Sequence, residues 1–203
     1  MDFSLSLLLD PQAVQELLRS NWTLGLIVAA GVIFLETGVV VFPFLPGDSL
    51  LFALGASAAI ASRSPWPVWA TVLVAAVLGD AVNYTVARTA VGPWVIRRGW
   101  IRASHLKRTR DYFARFGGSA VTIGRFVPVV RTIAPFVAGF SEMPVRRFLA
   151  FNALGGVLWS ALMIGLGSFT GRIPWVQQHF GWVTLGIVIL SLVPLAIQFM
   201  RSR

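Results

Sequence analysis

Residues 119–140 read SAVTIGRFVPVVRTIAPFVAGF, a stretch apolar enough for a membrane segment that nevertheless holds Arg125 and Arg131, with prolines at 128 and 135. An earlier stretch, residues 34–56, reads FLETGVVVFPFLPGDSLLFALGA and repeats the pattern with the opposite charge. There Glu36 and Asp48 flank Pro43 and Pro46, with Gly47 between Pro46 and Asp48. An ionisable side chain at bilayer depth costs about 2.5–3.5 kcal/mol on insertion scales, so it marks a functional site by default. Proline removes a backbone donor and breaks helices. Broken backbone at that depth survives only against protein or a polar cavity. One acidic and one basic broken segment together point to a polar site inside a membrane protein.

The composition agrees. Of 203 residues, 56% are hydrophobic and 12% charged, about half the usual charge fraction of a soluble domain. The apolar runs are too long and too closely spaced for a globular core. The net charge of +9 could suggest nucleic acid, but eight of the seventeen Lys and Arg residues fall between Arg88 and Arg115. A basic loop beside membrane spans reads as a cytoplasmic loop facing anionic lipid, not as a nucleic-acid surface. With no cysteine, thiolate chemistry and disulfides are excluded. His105 and His179 have no partner at ligand spacing, so neither a metal nor another cofactor is expected. Residues 10–20, DPQAVQELLRS, read as a short amphipathic helix opened by Asp10 and Pro11 rather than as a cleaved leader.

The chain is expected to form a single all-α membrane domain. A first broken block covers 22–61, as a hairpin or as a span plus a half-helix between which charge does not decide, and a span covers 66–90. A basic amphipathic connector follows at 97–116, then a second hairpin at 119–140 and spans at 148–169 and 176–200. A spanning helix needs about 20 residues, which each of the three span segments supplies. Trp66, Trp69, Trp94, Trp100, Trp175 and Trp182 fall near the proposed ends, at the level where indoles prefer to sit. With the 97–116 connector in the cytoplasm, Arg146 and Arg147 also belong there. The 119–140 segment must then enter and leave on one side, as a re-entrant hairpin whose prolines supply the bend. The C-terminus, with Arg201 and Arg203, ends inside. The order amphipathic helix, broken hairpin, full span thus occurs twice. If both blocks are hairpins they enter from opposite sides, the inverted repeat common among transporters.

Several motifs in order carry a family resemblance. They are Glu36, Pro43, Pro46-Gly47-Asp48, Gly79-Asp80 with Tyr84, and Gly124-Arg125-Phe126-x-Pro128-x-x-Arg131-Thr132 with Gly139. Asn152, Gly155, Trp159, Gly167 and Gly171 extend them, so the match runs over roughly residues 20–171. The chain resembles the bacterial DedA family, whose members carry the SNARE-associated, or VTT, domain. It departs at Asn83-Tyr84, where many relatives have Gly-Tyr, at Ala87-Arg88, where they have Gly-Arg, and at Ser168, where tyrosine is frequent. The resemblance implies an inner-membrane lipid transporter that moves undecaprenyl phosphate or a phospholipid between leaflets, driven in several relatives by the proton motive force. The family's four essential charged positions fall on Glu36, Asp48, Arg125 and Arg131.

The chemistry of these residues is compatible with that expectation. Guanidinium groups stay charged and offer planar, multi-donor recognition of phosphate, which suits Arg125 and Arg131 to substrate binding. Six residues apart, they would lie on different faces of one continuous helix; a break at Pro128 could bring both into one cavity. The alternative is that each arginine simply neutralises a carboxylate. Glu36 and Asp48 are the candidates for proton coupling, because burial disfavours a charged carboxylate while a nearby arginine favours it. Asp48 could instead cap the helix that it opens. Asp80, Asn83 and Tyr84, at i, i+3 and i+4, form one polar face that lines the path or holds a hairpin by hydrogen bonds. Pro46, Gly47 and Pro128 shape the hairpins. The expected partners are a lipid phosphate, protons or sodium, the membrane itself, and further copies of the chain if it associates. Rival readings are a membrane phosphatase acting on polyprenyl pyrophosphate and a small-solute or ion exchanger. The phosphatase lacks a base placed by sequence to activate Ser49, the hydroxyl beside the acidic turn, so the chain is read as a carrier and not an enzyme.

Overall fold

The computed structural model describes residues 17, 20–38, 47–91, 93–94, 98, 117–179 and 186, and every element among them is helical. In chain order they are α1 (Trp22–Gly38), α2 (Gly47–Ile60), α3 (Pro65–Val86), α4 (Ser119–Gly124), α5 (Pro128–Phe140), α6 (Val145–Thr170) and α7 (Pro174–Gln178). Helix α3 runs on into a π-helical turn, Ala87–Val91. Most of the amphipathic helix expected at 10–20, Pro43, Pro46 and nearly all of the 97–116 connector lie outside the described residues.

Among the described residues, two helices are long enough to cross a bilayer. Pro65–Val91 has 27 residues and Val145–Thr170 has 26, or about 40 Å each at 1.5 Å per residue. They fall on the expected spans 66–90 and 148–169. Their surfaces are the reverse of soluble helices. On α3, Val74, Leu78, Val82 and Val86 are exposed at four-residue intervals, while Asp80 and Asn83 are 1% and 2% exposed. On α6, Leu154, Leu158, Leu162, Leu166 and Phe169 face outward, while Asn152 and Ser160 are fully buried. Polar groups inside and leucine outside is the arrangement that hydrocarbon solvent selects. The expected last span, 176–200, starts differently. Residues 174–178 form a short helix that ends at His179, and beyond it only residue 186 is described.

The chain divides into two compact units. One gathers the described residues of 1–33, 44–75 and 160–203, the other those of 34–43 and 76–159. In the first unit, Asn21 caps α1 by accepting the Leu24 N–H at 3.1 Å. Arg63, just past α2, lies 4.8 Å over the Trp22 ring at the start of α1, so the chain folds back on itself. The α2–α6 contact is glycine-made. A Cβ at Gly167 would sit 2.1 Å from the Phe52 carbonyl oxygen, and one at Gly55 would sit 2.3 Å from that of Ile164. The Ser168 hydroxyl adds a bond to the Gly55 carbonyl at 3.1 Å.

In the second unit, α4 folds back onto α5. Val121 and Ala138 share one apolar cluster, and a Cβ on Gly124 would meet Ala134 at 3.4 Å. The break is single. The chain turns at residues 125–127, Val127 is extended, and Pro128 takes the first position of α5, where its missing N–H costs nothing. A second break at Pro135 does not occur, because α5 continues through it. Pro135 withdraws only the donor that the Arg131 carbonyl would receive in an unbroken helix. Tyr84, Met143 and Phe148 complete the cluster, with the Tyr84 and Phe148 rings stacked at 4.2 Å.

The helices α2 and α5 end in the same local motif. Ser62 after α2 and Glu142 after α5 have positive φ, 51° and 59°. Arg63 N–H donates to the Ala58 carbonyl, and Met143 N–H to that of Ala138, the long bond of a Schellman cap. A proline opens the next helix at Pro65 and immediately precedes it at Pro144.

Candidate functional site

The second unit brings together two ion pairs that the sequence holds far apart. Arg125 sits in the turn between α4 and α5, and its Nη2 donates to Asp80 Oδ2 on α3. Arg131, one turn into α5, donates to Glu36 Oε1 near the end of α1 at 2.5 Å. All four side chains are buried, none more than 5% exposed. Arg125 Nη2 also meets Asn152 Oδ1 on α6 at 2.8 Å, and Asn152 fixes itself by donating to the Val77 carbonyl at 3.1 Å. Gly155 makes room for this arrangement, since a Cβ there would lie 3.1 Å from Arg125 Cδ.

Trp159 joins the two pairs. Its buried ring lies 5.8 Å from the Arg125 guanidinium and 5.1 Å from that of Arg131, within cation–π range of both. Asn83, one turn along α3 from Asp80, donates to the Thr37 carbonyl at 3.2 Å and to the Thr132 carbonyl at 3.0 Å. It thereby ties the ends of α1 and α5 to the span. Tyr84 serves another purpose. Its hydroxyl donates to the Met143 carbonyl and accepts from Arg88, whose Nη1 also reaches Met143 O at 2.8 Å. That lock holds the α5–α6 turn against α3.

Glu36, Asp80, Asn83, Arg125 and Arg131 therefore meet, and the break before Pro128 is what places Arg125 opposite Asp80. Asp80 is more than a lining or hairpin-holding residue, because it is the direct ion-pair partner of Arg125. Asp48 belongs to the first unit. It is half-buried in the first turn of α2, one residue past Gly47. There a carboxylate is stabilised by the helix dipole. Pro46 lies outside the described residues. Asn152, Gly155 and Trp159 were legible only as apolar-span residues of the family pattern. The one signal of a role was a polar Asn in a lipid-facing helix.

The VTT domain model matches residues 45–169, more than half of the chain. Protein DedA of Escherichia coli K12 is 41% identical over 177 residues, which cover 85% of this chain and 80% of that protein. The chain belongs to the DedA family. An inner membrane protein of E. coli K12, YghB, is 37% identical over 163 residues, covering 79% of this chain and 74% of its own. An uncharacterised membrane protein of Mycobacterium tuberculosis H37Rv is 34% identical over 196 residues, covering 91% and 84%. No solved structure matches. With its inside-out spans, this DedA-family chain is an all-α membrane protein.

Proposed function

We propose that this protein is a multi-pass carrier of the bacterial inner membrane that moves a lipid phosphate, undecaprenyl phosphate or a phospholipid, between leaflets. The observation that supports it most is the buried cluster of two arginines and two carboxylates built on a helix break. A lipid headgroup cannot enter hydrocarbon with its charge uncompensated, and paired guanidiniums supply compensation with fixed geometry. In the resting site Glu36 and Asp80 satisfy the arginines. An arriving phosphate competes for the same donors, and a carboxylate left without its arginine at this depth takes up a proton. Proton release on the other side resets the site, which couples lipid movement to the proton gradient. Glu36 is the proton-handling residue in contact with Arg131, and Asp48 is carried into this scheme from the family pattern. Sodium in place of protons would use the same carboxylates.

The two helical blocks that fold back act, in this reading, as re-entrant hairpins of an inverted repeat. The shared exit motif at Ser62 and Glu142 supports that reading. Positive charge at Arg146, Arg147, Arg201 and Arg203 supports a cytoplasmic side for those segments and the C-terminus. In this reading the lipid crosses with its bonds intact, and the protein acts as a carrier and not an enzyme.

The test is leaflet-to-leaflet movement of a labelled polyprenyl phosphate in proteoliposomes with an imposed proton gradient, and a labelled phospholipid as second cargo. Movement by wild type that is lost in a folded Arg131→Ala protein is expected. Equal rates for wild type and Arg131→Ala would refute the role of the arginine. Absence of movement of either lipid would refute the carrier.

A further inference from the structure

Asp80 is the buried acid that touches Arg125, and the scheme above names Glu36 and Asp48, but not Asp80, as proton-handling residues. We propose that Glu36 and Asp80 are the proton-exchanging pair of this site, so that a phosphate monoester is taken in with two protons and a phosphodiester with one. The inference rests on the carrier reading and makes it stoichiometric.

The charged groups that face one another come from four places: Glu36 on α1, Asp80 on α3, Arg125 in the α4–α5 turn and Arg131 on α5. Helix α6 contributes the neutral Asn152 and Trp159. Arg88, on the π-helical turn, is directed to Tyr84 and the Met143 carbonyl instead. The two pairs act as one cluster, because Arg131 also lies within electrostatic reach of Asp80 and the Trp159 ring faces both guanidiniums. Two guanidiniums against two carboxylates make a net charge of zero. A monoester near neutral pH carries about −1.5 to −2, with its second pKa near 6. Added to a neutral, buried cluster, that charge stays uncompensated unless protons come with it, and uncompensated charge in a low dielectric is strongly disfavoured. Protonating both carboxylates restores neutrality for the dianion. Protonating one suffices for the single charge of a diester.

Free valences in the cluster fit this exchange. Arg125 Nε and Nη1 have no acceptor among the described residues, so the guanidinium has donors ready for phosphate as Asp80 is protonated and released, while Nη2 keeps Asn152. Asp80 Oδ1 likewise has no hydrogen-bond partner among the described residues and is the atom that would take the proton from bulk water. Asn83 Oδ1, one turn along α3, is a further buried acceptor with no donor among them.

The experiment is proton uptake on binding, measured with the purified full-length protein in detergent at about pH 8, where the monoester is a dianion. Calorimetry in two buffers of different ionisation enthalpy gives protons taken up per ligand bound. The probes are a short-chain prenyl phosphate and its methyl diester. Expected are two protons for the monoester and one for the diester, each lowered by one in Asp80→Asn. Equal uptake for the two ligands in wild type, or a folded Asp80→Asn that still takes up two with the monoester, overturns the proposal while binding itself leaves the carrier reading standing. Binding of neither ligand by folded wild type overturns both. The wild-type comparison decides the matter even if the variant does not fold.

Discussion

Removing Asp80 should cost far more than removing both members of its ion pair. The two side chains are 2% and 1% exposed. In Asp80→Ala the Arg125 guanidinium would keep only the Asn152 oxygen at 2.8 Å and a long contact of 3.4 Å to the Ala76 carbonyl. Breaking a buried pair in this way costs about 3–5 kcal/mol, because a desolvated charge is left behind. Asp80→Asn keeps an acceptor but not the charge, and should cost about 1.5–3 kcal/mol. The double replacement Asp80→Leu with Arg125→Met removes both charges at similar volume and should return to within about 1–2 kcal/mol of wild type. With Asp80→Leu and Arg125→Met alone each costing about 3–5 kcal/mol, the closed cycle carries a coupling energy of at least about 4 kcal/mol. The chain has eight tryptophans, so unfolding in mixed detergent micelles can be followed by their fluorescence. A single-variant cost below about 1 kcal/mol, or a double variant as damaged as the sum of the singles, would refute a desolvated pair.

Other expectations are smaller in scope. Trp159→Leu should keep the fold but weaken prenyl phosphate binding, since each cation–π contact contributes about 0.5–2 kcal/mol; unchanged affinity in a titration would show that the ring has no part in the site. Gly167→Ala places a methyl 2.1 Å from the Phe52 carbonyl oxygen and should cost about 1–3 kcal/mol. Gly31→Ala, with nothing within 4 Å of the new carbon, should be neutral or slightly stabilising in the same unfolding assay. Arg88→Ala removes the bond to the Met143 carbonyl and should lower stability by about 1–3 kcal/mol while lipid movement by the folded fraction persists. Loss of movement in that fraction would place Arg88 in the carrier site.

The long helices at 65–91 and 145–170 were legible because long apolar runs leave a helix little choice, and the inside-out pattern of α3 was already present in Asp80, Asn83 and Tyr84 at helical spacing. The break in 119–140 was legible for a similar reason, since Pro128 cannot sit inside a helix without removing a bond. Pro135 carries the same signal, yet α5 absorbs it. One missing N–H is tolerated where packing on both sides holds the helix, and no local pattern reports that packing. Pairing was the least legible feature. Spacing places Asp80 on a face but cannot choose its partner, which lies 45 residues on in the sequence. Trp159 was hidden by its chemistry, because a tryptophan in an apolar span reads as packing until the guanidiniums beside it are seen.

The central claim is that a lipid phosphate is held by Arg125 and Arg131 together. A structure of the protein with a short-chain prenyl phosphate bound tests it most directly. Phosphate oxygens are expected at about 2.7–2.9 Å from guanidinium nitrogens of both arginines. A phosphate bound elsewhere, with the Arg125–Asp80 and Arg131–Glu36 pairs unchanged, would contradict it.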